Sequence, residues 1–335
     1  MSSENWGLLG HAWAVKLLSG QIARGEQRHA YLFTGPQGVG RRTLALRLAQ
    51  ALNCQEPPAP GEFCGACRAC RGFAAMAHTD LYLIQRQEGD RDIKAEAVRE
   101  LGRSLALSPY ETQYQIALLL NFEQANEFAA NALLKTLEEP PPRVILLLTA
   151  ESAESLPATI ASRCEVLRLR PLSPDALAEG LQKAHRIPAE RARLLAALSG
   201  GRPGYALALA EDESLLAQRG EWLDRYLDTL PKGRVERFAL AEKLGADREL
   251  LRQALLVWLS FWRDVMMRSG MPGAHPANAD REAQVASLAQ SLGLGGAQRA
   301  VAAIERTLDL LETNINPRLA AENLLLELPR MQLAN

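Results

Sequence analysis

Five short apolar runs punctuate the first half of the chain: Ala30–Thr34, Leu81–Ile84, Gln115–Leu120, Val144–Thr149 and Val166–Leu169. Continuous aliphatic runs of this length suit strands buried on both faces. Segments with helical spacing lie between them, notably Arg42–Leu52, Ile93–Leu107 and Glu127–Leu137. The alternation predicts an α/β layer with a parallel sheet covered on both sides. Beyond residue 212 the pattern changes to apolar positions at helical period, with no clear strand run. An all-helical C-terminal half follows. Its last predicted helix opens at Asn316-Pro317-Arg318 and carries Leu324-Leu325-Leu326 to Leu328, which suits burial between helices or against another subunit. The apolar stretch Leu250–Met267 is interrupted by Arg252, Gln253, Arg263 and Asp264. It reads as a buried helix, too polar for a membrane span.

Composition narrows the classes. At 335 residues, a prior of about 150 residues per domain gives two or three domains. The hydrophobic fraction of 47% is that of a protein with real cores, and the formal net charge of −1 excludes a dedicated basic nucleic-acid-binding domain. Met1–Leu18 carries Glu4, Asn5 and His11 where a secretory signal needs an apolar stretch. A cytoplasmic location is therefore expected, with no membrane association. Trp222, Tyr226, Trp258, Phe261 and Trp262 fall at core-like spacing. A base-stacking platform would interleave them with basic residues.

The chemistry begins directly after the first strand-like run. Gly35-Pro36-Gln37-Gly38-Val39-Gly40-Arg41-Arg42-Thr43 keeps the glycine frame of the phosphate-binding template G-x-x-x-x-G-K-[ST]. The glycines Gly35, Gly38 and Gly40 are in place, and strand and helix patterns flank the loop. Arg41 stands where the template has Lys, and Arg42 where it has the magnesium-binding hydroxyl; Thr43 supplies one only after a one-residue shift. A planar guanidinium does not replace a compact ammonium. Leu118-Leu119-Leu120 ends at Asn121, where a P-loop ATPase places its magnesium-binding Asp. Glu123 reads as a solvated carboxylate at a loop or helix start, with activation of water as the alternative. Thr149, at the end of a strand, is a candidate γ-phosphate sensor or a plain strand-end threonine. The loop is a degenerate Walker A, and whether ATP or ADP binds it stays open at this point.

Four of the five cysteines fall within 17 residues, as Cys54, Cys64, Cys67 and Cys70, in the spacing C-x9-C-x2-C-x2-C. Four thiolates can close a tetrahedral zinc shell. A disulfide framework does not suit a cytosolic chain, and the ferredoxin-type spacing for an iron–sulfur cluster is incomplete. A structural Zn²⁺ module over residues 54–72 is expected as an insertion into the α/β layer.

Asn131-Ala132-Leu133-Leu134-Lys135-Thr136-Leu137-Glu138-Glu139-Pro140-Pro141 and Leu156-Pro157-Ala158-Thr159-Ile160-Ala161-Ser162-Arg163-Cys164 resemble segments shared by the clamp-loader subunits of bacterial DNA polymerase III. His29-Ala30-Tyr31-Leu32-Phe33-Thr34-Gly35-Pro36 and the four-cysteine module are similar too. The resemblance covers most of residues 6–210. The degenerate loop, and Gly204 at a position where the motor subunit carries a sensing Arg, point to the delta-prime branch rather than the gamma/tau motors. Arg202 lies nearby.

The resemblance implies an AAA+ domain with a five-stranded parallel sheet over residues 1–167. It further implies a helical lid over 168–212, containing Asp175–Arg186 and Ala189–Leu198, and an all-helical collar over 213–335. It implies a non-hydrolysing subunit of the DNA polymerase III holoenzyme, a DNA-directed DNA polymerase. The partners implied are gamma/tau and delta subunits in a hetero-oligomeric ring, and through it the sliding clamp and primer–template DNA. Arg163, in the Ser-Arg-Cys motif, is implied to be an arginine finger acting in trans, with helix capping or pairing to an acid such as Glu165 as the bland alternative. Cys164 reads as a packing residue. An active AAA+ ATPase is the competing function. A P-loop kinase lacks an acceptor site, and a zinc-dependent DNA-binding module is disfavoured by charge.

Overall fold

The structure, a computed structural model, describes residues 4–330 except 88, 272, 274, 275, 312 and 314. The chain forms two compact units. One comprises the residues up to Arg186 together with Gly201–Tyr205, and the other Ile187–Gly200 and the residues from Ala206 on. The stretch 168–212 is thus shared between them.

In the first unit the chain runs α1 (Ala12–Arg24), β1 (Ala30–Thr34), α2 (Arg41–Asn53), α3 (Arg68–Ala74), β2 (Leu81–Ile84) and α4 (Ala95–Leu105). It continues through β3 (Gln115–Leu119), α5 (Glu127–Glu138), β4 (Val144–Ala150), the single turn α6 (Ala158–Ala161), β5 (Glu165–Arg168) and α7 (Pro174–His185). The five strands form one sheet in the order β2-β3-β4-β1-β5, with every neighbouring pair parallel. Every residue of β1, β3 and β4 is buried, as their uninterrupted apolar runs require. Side chains alternate between the faces. Tyr31, Phe33, Ile116, Leu118, Ile145 and Leu147 share one core with residues of α1, α2 and α3. Leu32, Ala117, Leu119, Leu146 and Leu148 share the other with residues of α4 and α5. All five expected strands are present within one residue of their predicted ends. Helix α4 begins at Ala95 rather than Ile93 because Ile93 instead bridges Ala125, its N–H donating to the Gln124 carbonyl at 2.9 Å.

The second unit is helical among the described residues: α8 (Ala189–Leu198), most of α9 (Pro203–Glu211), α10 (Glu213–Thr229), α11 (Arg234–Leu244), α12 (Arg248–Gly270), α13 (Glu282–Leu311) and α14 (Pro317–Glu327). Helix α13 breaks at Gly293, where φ is 61° and ψ −177°. Tyr226, Trp258, Phe261 and Trp262 are buried in one core, Trp222 packs at its margin, and Trp262 Nε1 donates to the Tyr226 hydroxyl at 2.6 Å. Leu324 and Leu325 of α14 join this core, while Leu326 stays 45% exposed. No helix among the described residues is long and apolar enough to cross a membrane.

Arg237 locks the end of this unit. Its buried guanidinium donates to the carbonyls of Leu325 (2.5 Å), Leu328 (2.7 Å), Leu230 (2.9 Å) and Pro329 (3.0 Å). Several of these are orphan carbonyls at helix ends, which need donors when buried. Arg237→Ala is expected to lower stability by about 3 kcal/mol, read from the urea midpoint followed by tryptophan fluorescence. Arg237→Lys should recover little, because an ammonium lacks the planar fork of donors. An unchanged midpoint in Arg237→Ala would contradict this assignment.

Candidate functional site

The glycine loop joins β1 to α2, as the motif requires. Its backbone is in the left-handed region at Gly35 (φ 141°), Gly38 (φ 82°) and Gly40 (φ 113°). A Cβ on Gly35 would lie 2.4 Å from the Leu169 carbonyl oxygen, so no larger residue fits there. The loop is held from outside. His11 is buried, and its Nε2 lies 2.9 Å from the Val39 carbonyl oxygen. The Gly204 N–H donates to the Gly38 carbonyl at 2.8 Å. Tyr205 packs against Gly38, and the Arg202 guanidinium lies 4.7 Å from the centre of the Tyr205 ring. The sequence carries no signal for His11, a lone histidine beside a glycine.

Arg41 opens α2 and is 7% exposed. Its Nη2 donates to Asn121 Oδ1 at 3.2 Å, so the Lys substitute and the Asp substitute are bonded to each other. Arg41 Nη1 is buried without a hydrogen-bond partner among the described residues. Burial pushes the Arg41 guanidinium down from its ordinary pKa, against the opposing pull of Glu123 and Glu151. Asn121 adopts a left-handed conformation (φ 48°) at the end of β3, and its N–H donates to Thr149 Oγ1 at 2.8 Å. The Thr149 hydroxyl, buried at the end of β4, thereby ties two strand ends together. Arg42 and Thr43, second and third in α2, are exposed and form no hydrogen bond to this group among the described residues.

Glu123 differs from expectation. It is half-buried, not solvated, and its Oε2 is buried without a hydrogen-bond partner among the described residues. The 3-10 turn Phe122–Gln124 follows the left-handed Asn121 and brings Glu123 to the charge of Arg41. Burial pushes its carboxyl up, Arg41 pulls it down, and Glu151 adds to the rise.

The four cysteines converge between α2 and β2. Their sulfurs all lie within 4.8 Å of one another. A tetrahedral shell with metal–sulfur bonds of about 2.3 Å has edges near 3.8 Å, so the cluster fits. Backbone N–H groups aim at the sulfurs: Cys64 at Cys54 (3.2 Å), Ala66 and Cys67 at Cys64 (3.4 and 3.2 Å), and Cys70 at Cys67 (3.4 Å). Such donors stabilise thiolates. The N–H groups of Cys67 and Ala66 bring the Cys64 thiol down to about 6, while burial pushes Cys70 up. The module can hold a metal ion such as zinc, and Gln50 Nε2 docks it to α2 through the Cys70 carbonyl at 2.7 Å. Cys164 lies outside this group. It packs at the margin of a core, and burial raises its thiol to about 12.

Arg163 follows α6 and is 37% exposed. Its Nη1 donates to the Thr159 carbonyl at 2.8 Å and its Nη2 to Glu138 Oε1 at 2.7 Å. The acidic partner is therefore Glu138 on α5, not the neighbouring Glu165. Glu165 is engaged by Gln21 Nε2, at 2.9 Å from both carboxylate oxygens, because β5 turns it toward α1. Among the described residues, Arg163 forms no hydrogen bond to the glycine loop.

A parallel sheet of this order, with a glycine loop between its β1 strand and the following helix, defines a P-loop protein of the AAA+ class with a four-cysteine insertion. Residues 10–173 match a family described as DNA polymerase III, delta subunit. A DNA polymerase III subunit delta' from Pseudomonas aeruginosa is 39% identical over 196 residues, 58% of this chain and 59% of that protein. The alignment thus spans about three-fifths of that relative. Another subunit delta', from Escherichia coli K12, is 31% identical over 271 residues, 80% of this chain and 78% of its own. The chain belongs to the DNA polymerase III delta-prime family. A crystal structure of a gamma subunit-related protein from Thermotoga maritima has the same fold, with a TM-score of 0.53 at 18% identity, covering 94% of this chain and 99% of that one.

Purified without chelator, the protein is expected to carry about one metal ion per chain. Cys67→Ser should abolish retention and expose residues 54–72 to limited proteolysis while the sheet persists, because the metal supplies the folding energy of so small a module. Metal-free protein with an intact, protease-resistant insertion would refute the assignment.

Proposed function

We propose that this chain is the non-hydrolysing delta-prime subunit of a DNA polymerase III clamp loader. It acts in the cytoplasm in a hetero-oligomeric ring, a heteropentamer, with gamma/tau and delta subunits. In that ring it helps load the sliding clamp onto primed DNA. The three-part division stands as a proposal with it: an AAA+ domain to residue 167, a lid over 168–212 and a collar from 213. The ion proposed for Cys54, Cys64, Cys67 and Cys70 is zinc rather than iron.

The observation that carries the reading is the Arg41–Asn121 bond, 3.2 Å long, inside the degenerate Walker A site. Phosphoryl transfer needs a Lys on the phosphates and Mg²⁺ held by a hydroxyl and an Asp. Here a buried guanidinium faces the amide, and Arg42 and Thr43 lie exposed on α2. Gly35, Gly38 and Gly40 keep the loop shape, and Thr149 braces Asn121. The half-buried Glu123 favours the second reading, an active AAA+ ATPase, since a carboxylate raised by burial beside a phosphate loop suits a base.

ATP turnover separates the two readings. The isolated chain should show no steady-state hydrolysis, and Arg41→Lys should not restore it, because the magnesium ligands stay absent. Hydrolysis abolished by Gly40→Val would establish the second reading instead.

Arg163 is proposed as the arginine finger supplied to the ATP of a neighbouring motor subunit. An exposed, always-charged fork can stabilise γ-phosphate charge from outside the host site. Rings carrying Arg163→Ala should assemble normally, while clamp- and DNA-stimulated hydrolysis at the adjoining site falls by at least about tenfold. Unchanged clamp loading by a properly assembled ring would reduce Arg163 to a structural role.

A further inference from the structure

Glu138 ends α5, where the helix presents the negative end of its dipole. A carboxylate there gains nothing from the helix and is disfavoured by it. What it meets is Arg163, at 2.7 Å, in a pair whose side chains are 51% and 37% exposed. The other anchor is the Thr159 carbonyl of α6, at 2.8 Å. Two separate elements thus grip one guanidinium, and only two of its five N–H donors are committed by these bonds. Among the described residues the guanidinium forms no other hydrogen bond, which leaves three donors for an incoming anion.

We propose that Glu138 is a positioning residue for Arg163, fixing the plane of its guanidinium so that the uncommitted donors are presented to a phosphate on an adjoining subunit. The proposal rests on the reading of Arg163 as a finger in trans. An arginine side chain carries many rotamers, and freezing them at the moment of docking opposes the contact. The paired anchors freeze them in advance, within the chain's own fold. Placement of a charged group to within an ångström governs how well it serves a transition state. A carboxylate is suited to the task because it accepts from the guanidinium edge without neutralising its charge by proton transfer. Glu138→Gln preserves size and one acceptor but removes the carboxylate charge and with it the ion pair.

The test uses the assembled ring of this chain with its motor and clamp-opening subunits. The ring is prepared with Glu138→Gln, Glu138→Asp, Arg163→Ala, and Glu138→Gln combined with Arg163→Ala. Glu138→Gln is expected to lower kcat for clamp- and DNA-stimulated ATP hydrolysis at the adjoining site by about three- to tenfold. KM for ATP and ring assembly should stay unchanged. Glu138→Asp should recover part of the loss. Added to Arg163→Ala, Glu138→Gln should cost nothing more, since it acts only through that arginine. The proposal is overturned if Glu138→Gln rings turn over as fast as the parent or faster while Arg163→Ala rings are slow; a faster ring would mean that Glu138 withholds the finger instead of aiming it. Additive losses in the double variant, or a loss traced to failed assembly, also overturn it. If Arg163→Ala itself is without effect, the finger reading falls and the proposal with it, and that outcome is told apart by the single Arg163 variant.

Discussion

The guanidinium of Arg41 enters the first unit at the start of α2, and the C-terminal edge of the sheet is organised around it. A helix N-terminus with glycine-loop amides is a place for an anion. A buried cation at that place is unfavourable unless negative groups surround it. The chain provides them: the Asn121 amide oxygen at 3.2 Å, and the charges of Glu123 and Glu151. Asn121 in turn is fixed through its N–H to Thr149, so the ends of β3 and β4 and the start of α2 form one polar group. Three positions that would contact a nucleotide or its magnesium in a working P-loop, Arg41, Asn121 and Thr149, are engaged with one another. In the proposed function, chemistry then shifts from this loop to Arg163, which is exposed and belongs to a different polar group.

The four-cysteine insertion obeys a different constraint. Residues 54–72 are too few to enclose a core of their own, and their apolar contacts are borrowed. Phe63 packs against Trp6 with ring centres 6.2 Å apart, and Trp6 Nε1 donates to the Gly61 carbonyl at 3.2 Å. Arg47 of α2 lies over the Phe63 ring at 5.5 Å. The same helix α2 therefore carries the phosphate-loop arginine at its first residue and the module's support further along. An ion held by the four sulfurs would rigidify the exit of that helix, while Arg41 and Asn121 hold its entrance.

Much of this was legible along the chain. Strands buried on both faces are apolar at nearly every position, with polar residues only near their ends, so β1, β3 and β4 stand out without any alternation to decode. The glycine frame and the cysteine spacing are local, since each is a short-range demand of backbone geometry or metal radius. Less legible were the pairings. Glu123 reads as solvated because carboxylates usually are, yet a left-handed residue at Asn121 turns it inward. Arg163 has an acid two residues away in Glu165, but β5 commits that side chain to Gln21, and the partner comes from 25 residues upstream. His11 gives no sign of its contact with Val39.

By itself the sequence determined the class of fold, the five strands, the helical C-terminal half, the glycine loop and the cluster of four cysteines. These depend on periodicity, on turn-forming glycine and on ligand spacing, all of them properties of neighbouring residues. Tertiary structure alone decided that Arg41 bonds Asn121, that Glu123 is half-buried beside the charge of Arg41, and that Arg163 rests between Thr159 and Glu138. Each of those contacts depends on where the ends of separate strands and helices meet. A charged side chain takes whichever partner the packed backbone brings within about 3 Å, and nothing in its local sequence records which one that is.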